Sequence, residues 1–505
     1  MWQAGQVVVV YIRIGLTPER GPSLLSQCAL LRFLQVTIAV SLTIAVALVF
    51  WGSMDNDEFQ HLHLAWQVAR GKALYRELYD SHGPLYTLLN SLAFSVLQLS
   101  PGAYLYSLFR FTSLMYLGGI CVCLYFLSQQ ILGDRVVSLA SCAIFLSLGF
   151  TLQSGLEIRP DVMQNLFWIG SVLLLSTDLE GQHPRKYFVA GILLAAACVV
   201  NLKAGICAVA VGAFFVGNYV FGVHQHRSVL YRSYYSFLVG ALVVFILTTV
   251  GFYAWGSLDE LVQYPIKYTF IMLDNHDIVG NRTWSNVRFF LWYQKSFVLL
   301  LVIGTVLIAR MTKNRSIWFL ITLSGITTCA IFTGTFKQIF LIFLPLLSIV
   351  AAKGLATTLH FVHSRWLQGV MLLAVFLPLL AVHLGGLDGN SIRKRARQNA
   401  LTERIVLTTR RDEPLAVFWN ACGGYSFNAD HQFLWTGNYL HWKSLQDLIR
   451  SRSSPRSFGD EFIKNLEDKK VRYIIGDKVK HFEPDQLQYI RDHFSQDGCL
   501  WTKKS

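Results

Sequence analysis

Residues 54–86, MDNDEFQHLHLAWQVARGKALYRELYDSHGPLY, gather acids, three histidines and a Gly-Pro turn directly after an apolar run that ends at Trp51. Ionisable groups kept at the edge of a bilayer are costly and mark function by default. Asp57 and His61 stand one helical turn apart and Glu58 lies near the same face, so a juxtamembrane helix would set a carboxylate beside an imidazole. A carboxylate so placed can take the proton of an attacking hydroxyl, although a solvated loop would explain the same acids without chemistry. Asp57, His61 and His63 also carry the donor types of a divalent-metal site, but His-x-His suits a strand better than a helix. A second cluster, Glu157-Ile158-Arg159-Pro160-Asp161, closes another apolar run. Pro160 fits the first position of a helix, and Asp161 in the first turn would complement the helix dipole even with no other role.

Cations stand in comparable places. Lys203 and Lys337 each interrupt an apolar stretch, at what the topology below makes the outer helix ends. Snorkelling to the interface accounts for such positions; convergence with Arg159 on the side that carries the acids would instead build an anion site. His82, ahead of Gly83-Pro84, either belongs to a turn that launches a helix or helps to hold a phosphate.

The elements that must position these groups are membrane helices. Of 505 residues 53% are hydrophobic and only 15% charged, and apolar runs recur from Phe33 to about Gly386; a span needs about 20 residues. Eleven spans are expected, at 33–51, 111–128, 136–152, 162–177, 187–202, 204–222, 234–255, 288–309, 316–335, 338–352 and 366–386. The segment 84–100 is short and broken by Asn90, Ser91 and Ser95, so it is expected to lie flat in the interface. With residues 1–32 as a cytoplasmic tail, Arg135, Arg185, Lys186, Arg227, Arg232, Arg310, Lys313, Arg315, Lys353 and Arg365 then fall in cytoplasmic loops, as the positive-inside rule requires. Loop 53–110, loop 153–161 and everything after about 387 open on the opposite side, which brings both acidic clusters to one face. Residues 33–386 form the membrane domain. Beyond GGLDGN (385–390), a linker by composition, strand-like pieces at 405–409, 415–419 and 471–476 alternate with helix-like ones at 440–451, 460–470 and 484–494, the pattern of a small extracytoplasmic α/β domain.

Several function classes are excluded. The net charge of +14 is spread over short loops, so nucleic acid is not an expected partner. The nine cysteines lie largely in or beside apolar runs and suggest no disulfide framework. Walker, GxSxG and HExxH patterns are absent.

In order and spacing, Asp57-Glu58 after the first span, His82-Gly83-Pro84-Leu85-Tyr86, Arg159-Pro160-Asp161 at the start of a later span, Asn201-Leu202-Lys203-Ala204-Gly205 and Phe336-Lys337-Gln338-Ile339-Phe340 ahead of Leu344-Pro345 resemble the GT-C glycosyltransferases. The branch most similar holds protein O-mannosyltransferases, aminoarabinose lipid A transferases and lipopolysaccharide-core galacturonosyltransferases. The aminoarabinose branch has Lys-Pro-Pro-Leu where this chain has His82-Gly83-Pro84-Leu85, which argues against that donor. The resemblance implies transfer of a sugar from a polyprenyl-phosphate donor to an acceptor hydroxyl on a glycolipid, polysaccharide or protein. It places the chain in a bacterial inner or plasma membrane, with the site facing the periplasm or exterior. Asp57 is then the base with Glu58 beside it, Asp161 positions hydroxyls, and Lys203, Arg159 and Lys337 stabilise the departing phosphate with help from His82. Attack from one face implies inversion. No cofactor is required, though a carboxylate-bound divalent ion is compatible. The competing reading is a transporter or flippase of lipid-linked sugars, which should show an inverted repeat and broken helices near mid-membrane.

Overall fold

A helix stands at each of the eleven apolar segments. The computed structural model describes residues 27–408 apart from 79, 81, 100–103, 222–226, 268–282, 286, 289, 293, 312–313 and 334–336, together with 415–417, 463–464, 466–467, 471–475, 484–497 and 500–504. Hydrocarbon leaves no partner for backbone polar groups other than the backbone itself, so long apolar stretches become helices. Among the described residues six helices are long and apolar enough to cross a membrane, or up to eight when each sharply bent pair counts as one span. The chain is a multi-pass membrane protein.

In chain order α1 is Gln27–Trp51, α2 Asn56–Ala69, α3 Pro84–Leu97, α4 Tyr104–Leu132, α5 Arg135–Ser147, α6 Gly149–Gly155, α7 Pro160–Ser176 and α8 Pro184–Val200. Helices Gly205–Phe221, Arg227–Ala254, Lys295–Ala309, Arg315–Thr328, Phe340–Phe361 and Arg365–Leu384 complete the membrane domain. Where lipid offers no hydrophobic drive between helices, small residues that allow backbones to approach decide the contacts. Gly191 on α8 and Gly240 on its neighbour show this reciprocally: a Cβ on either would come within 2.1 Å of a carbonyl oxygen of the other helix. Helix Phe340–Phe361 is almost wholly buried and forms the centre of the bundle.

The expected single span at 136–152 is a bent one. At Leu148 the backbone turns extended and α5 and α6 diverge by 62°. His383, buried on helix Arg365–Leu384, lies with its Nε2 3.0 Å from the Ser147 carbonyl exposed by that break. Irregular backbone at membrane depth is tolerated when protein covers it in this way.

On the side of the bundle where α1 ends, a second apolar core (Met54, Leu62, Trp66, Tyr86, Phe94, Phe109) joins α2, α3 and the first turns of α4. It is the platform on which the acidic loop is built. The polar C-terminal part begins differently from expectation. GGLDGN is not a free linker: Gly385–Leu387 makes one 3-10 turn and helix Gly389–Thr408 follows at once. That helix takes in residues 405–408 of the strand expected at 405–409. Gln398 closes a pair of hydrogen bonds with the backbone of Met54, at 3.0 and 3.1 Å, so the helix is tied to the loop that precedes α2. Beyond it lies a four-stranded mixed sheet of order β1-β2-β4-β3, from Leu415–Val417, Tyr473–Ile475, Phe494–Asp497 and Leu500–Lys503, with helix Pro484–His493 beside it. Strands β1 and β2 pair in parallel, while β3 and β4 are an antiparallel hairpin that the sequence pattern did not suggest. Residues 440–451 lie outside the described residues.

Candidate active site

Asp55 fixes where α2 begins. Its side chain accepts from the Asp57 amide at 3.0 Å, and Glu58 reaches back to the Asp55 amide at 2.8 Å, a complete capping box. Helical phase then sends Asp57 and Glu58 to different surroundings. Glu58 is fully buried and takes two hydrogen bonds from Arg110 of α4, Nε to Oε1 at 2.7 Å and Nη2 to Oε2 at 2.6 Å. The Ile158 amide adds a bond to Oε1 at 3.1 Å. Arg110 spends its remaining donors on the carbonyls of Leu48, Gly52 and Ser53. The pair thus joins four separate pieces of chain: the end of α1, the start of α2, α4 and the loop before α7. Glu58, expected beside Asp57 in the chemistry, has both oxygens occupied and no exposed surface.

Asp57 stays 31% exposed and faces Arg159, whose Nη2 lies 2.6 Å from its Oδ2. The same Nη2 is 3.2 Å from Asp55, and Nε is 2.7 Å from Glu157. Arg159 occupies the N-cap position of α7 with Pro160 following, so backbone and side chain are both held as the Arg-Pro-Asp spacing suggested. Three carboxylates here share one buried guanidinium. Burial, together with Asp55 and Glu58 nearby, pushes the Glu157 carboxyl up to about 8 against the pull of Arg159.

Asp161, the second residue of α7, is 3% exposed and meets Lys203 at 3.0 Å and Asn201 at 3.4 Å. Lys203 sits in a 3-10 turn, Leu202–Ala204, that breaks the run between α8 and the next helix and is capped by Asn201. Lys203 is thus bent back onto a buried carboxylate.

His82 completes the constellation. Its amide and Nδ1 lie 3.0 and 3.1 Å from Asp80 Oδ1, while Thr87 holds Asp80 Oδ2 at 3.1 Å and Tyr75 donates to the His82 carbonyl at 2.6 Å. Burial opposes ionisation of Asp80, but these bonds from His82 hold its carboxyl below the usual range. Gly83 is required by contact: a Cβ there would stand 2.0 Å from the Val199 carbonyl oxygen, so the turn lies directly on the end of α8. His61 packs edge-on against His82 and Tyr86, with ring centroids 4.8 and 5.5 Å away. Burial, then the neighbouring His82, lowers its imidazole to about 3. His63 turns instead to Trp66, so the sequence-level set Asp57, His61 and His63 does not assemble. The Lys337 side chain lies outside the described residues, while Gln338 beside it reaches Glu157 at 3.4 Å.

Sequence reasoning brought Asp57, Arg159, Asp161, Lys203 and His82 to one region. It gave no part to Asp80 or Arg110, and named Glu157 and Asn201 only within their motifs, without the contacts to Arg159 and Asp161. For Arg110 a signal existed, since a cation at the head of an apolar run is expensive unless paired.

A family model described as dolichyl-phosphate-mannose-protein mannosyltransferase matches residues 81–253. Nothing among curated protein sequences matches the chain. Solved structures do. The oligosaccharyltransferase of Archaeoglobus fulgidus, determined with zinc and sulfate, superposes with a TM-score of 0.60 at 12% identity, covering 91% of this chain and 71% of that one. The same archaeal enzyme has been solved with an inhibitory peptide and a dolichol-phosphate (TM-score 0.58, 12% identity, 94% and 74% covered). ArnT from Cupriavidus metallidurans bound to undecaprenyl phosphate gives 0.59 at 11% identity, with 94% of this chain and 98% of that chain covered. Over nine tenths of its length, therefore, the chain has the GT-C glycosyltransferase fold.

Proposed function

We propose that the chain is an inverting membrane glycosyltransferase that moves a sugar from a polyprenyl-phosphate donor to a hydroxyl of a glycolipid, polysaccharide or protein, on the extracytoplasmic face of a bacterial inner or plasma membrane. The observation that carries this reading is the arrangement of a part-exposed carboxylate, Asp57, clamped by Arg159 at 2.6 Å, with the buried Asp161–Lys203 pair starting two residues after that arginine. A base and two cations on adjoining helix ends are what such a transfer needs. Asp57 takes the acceptor proton as the hydroxyl attacks the anomeric carbon. The anomeric C–O bond breaks and its electron pair leaves with the polyprenyl phosphate, whose growing charge Arg159 and Lys203 stabilise. His82 and Lys337 assist at the phosphate, and Asp161 orients Lys203 and sugar hydroxyls. Glu58 is a positioning residue: through Arg110 it fixes the start of α2 and hence the direction of Asp57. The scheme asks for no resident cofactor. Lipid-phosphate ligands in the archaeal enzyme and in ArnT support the donor class, and the mannosyltransferase model over 81–253 supports the reaction class.

The test is a donor-binding and turnover comparison in detergent. Asp57→Asn should abolish transfer and leave donor affinity within a few fold, because a base acts chiefly in the transition state. Wild-type turnover by a folded Asp57→Asn protein would move the base elsewhere.

A further inference from the structure

We propose that His61, Asp80 and His82 form a binding site for one divalent transition-metal ion of the zinc type, beside the Asp57–Arg159 cluster and sharing no carboxylate with it. One ligand atom from each of the three residues lies within 4.8 Å of the others. Two imidazoles and a carboxylate are a nitrogen-rich set that suits zinc; magnesium and calcium ask for oxygen.

The independent observation is His61 itself. Its side chain is 1% exposed, yet neither ring nitrogen has a hydrogen-bond partner among the described residues. A buried polar group left unpaired is destabilising, and a phenyl ring would fill the same space without that cost. One of the two orphan nitrogens stands within 4.8 Å of a ligand atom of Asp80 and of His82, where its lone pair can be used by a cation.

The surroundings are those of a held ligand set. Thr87 and the His82 amide fix Asp80, Tyr75 fixes the His82 backbone, and Gly83 presses the turn onto α8. Outer partners of this kind orient metal ligands and set their basicity. Tetrahedral zinc with bonds of about 2.0–2.1 Å needs ligand atoms about 3.3 Å apart. Asp80 Oδ1 and His82 Nδ1 already stand at 3.1 Å, and from the 4.8 Å limit of the set no pair has to close by more than about 1.5 Å. Three protein ligands would leave one coordination position open. The site does not depend on the transferase reading, and its test reads metal and not activity.

Full-length protein in detergent, stripped with chelator, is dialysed against cobalt(II) and then titrated with zinc(II). Visible ligand-field bands of a four-coordinate cobalt ion are expected, bleached by about one equivalent of zinc per chain, together with a zinc-dependent rise in Tm. His61→Phe keeps the ring and its packing on Tyr86, and should lower zinc affinity at least about tenfold while removing the Tm response. Asp80→Asn should do the same; if it does not fold, the wild-type cobalt spectrum and His61→Phe decide. Wild-type protein that retains neither metal, or His61→Phe protein that binds zinc as tightly as wild type, would overturn the site and leave His61 as aromatic packing.

Discussion

Replacing Glu58 by glutamine separates a structural carboxylate from a catalytic one. Glu58 receives four hydrogen bonds, two from Arg110, one from the Asp55 amide and one from the Ile158 amide, and has no exposed surface. Glutamine keeps the volume but turns an NH2 towards a donor and leaves the Arg110 charge uncompensated in a buried setting. Breaking a buried pair from one side costs about 3–5 kcal/mol, most of it the isolated charge. Removing both charges should therefore return part of the loss, and Glu58→Gln combined with Arg110→Gln should show a coupling of about 1–3 kcal/mol. Reversible unfolding in mixed detergent and dodecyl sulfate micelles reads these differences. At low temperature the residual activity of Glu58→Gln should track its folded fraction. A Glu58→Gln protein within about 0.5 kcal/mol of wild type but without turnover would refute the positioning role and make Glu58 the base.

Four further outcomes are expected. Lys203→Gln should weaken donor binding roughly ten- to a hundred-fold, since a charged hydrogen bond is worth about 1.5–3 kcal/mol, and should also destabilise the protein by leaving Asp161 unpaired; unchanged donor affinity would remove Lys203 from the phosphate site. Stability should fall as pH rises from about 4.5 to about 8, because the folded state binds the Glu157 proton more tightly than the unfolded chain does, and Glu157→Gln should flatten that slope; an unchanged slope in the variant would assign it to other groups. Gly83→Ala should lower both stability and turnover, because its Cβ meets backbone that cannot step aside; a silent variant would show the turn to be free of α8. Cysteine-accessibility labelling should find loop 53–110 and residue 470 on one face and residues 185, 227 and 313 on the other, and residues 230 and 470 on the same face would overturn the orientation.

The helices were legible because lipid leaves a chain few choices: continuous apolar runs must close their own hydrogen bonds. Asp57, Arg159 and Lys203 were legible because charge at a bilayer edge is costly and so rarely accidental. Their partners were not. Glu58 and Arg110 are 52 residues apart and Asp161 and Lys203 are 42 apart, and only the packing of α2, α4, α7 and α8 decides which acid meets which cation. Adjacent Asp57 and Glu58 looked alike in sequence, yet helical phase turned one to Arg159 and buried the other. The bend at Leu148 was not read, although Ser147 and Gly149 flank it, because such residues are also common in straight membrane helices, and the freed carbonyl is covered by His383, far along the chain. At 405–408 a β-favouring run stays helical as the end of Gly389–Thr408, where continuity of the helix overrides local propensity.

The most direct measurement is transfer itself. Purified wild-type protein and Asp57→Asn are given radiolabelled polyprenyl-phosphate sugars with total membrane acceptors, and labelled acceptor and released polyprenyl phosphate are counted together. Wild type should yield the two products in equal amounts with inverted anomeric configuration, and Asp57→Asn neither. Movement of labelled donor across sealed liposomes with no acceptor labelled, or equal transfer by both proteins, would contradict the transferase.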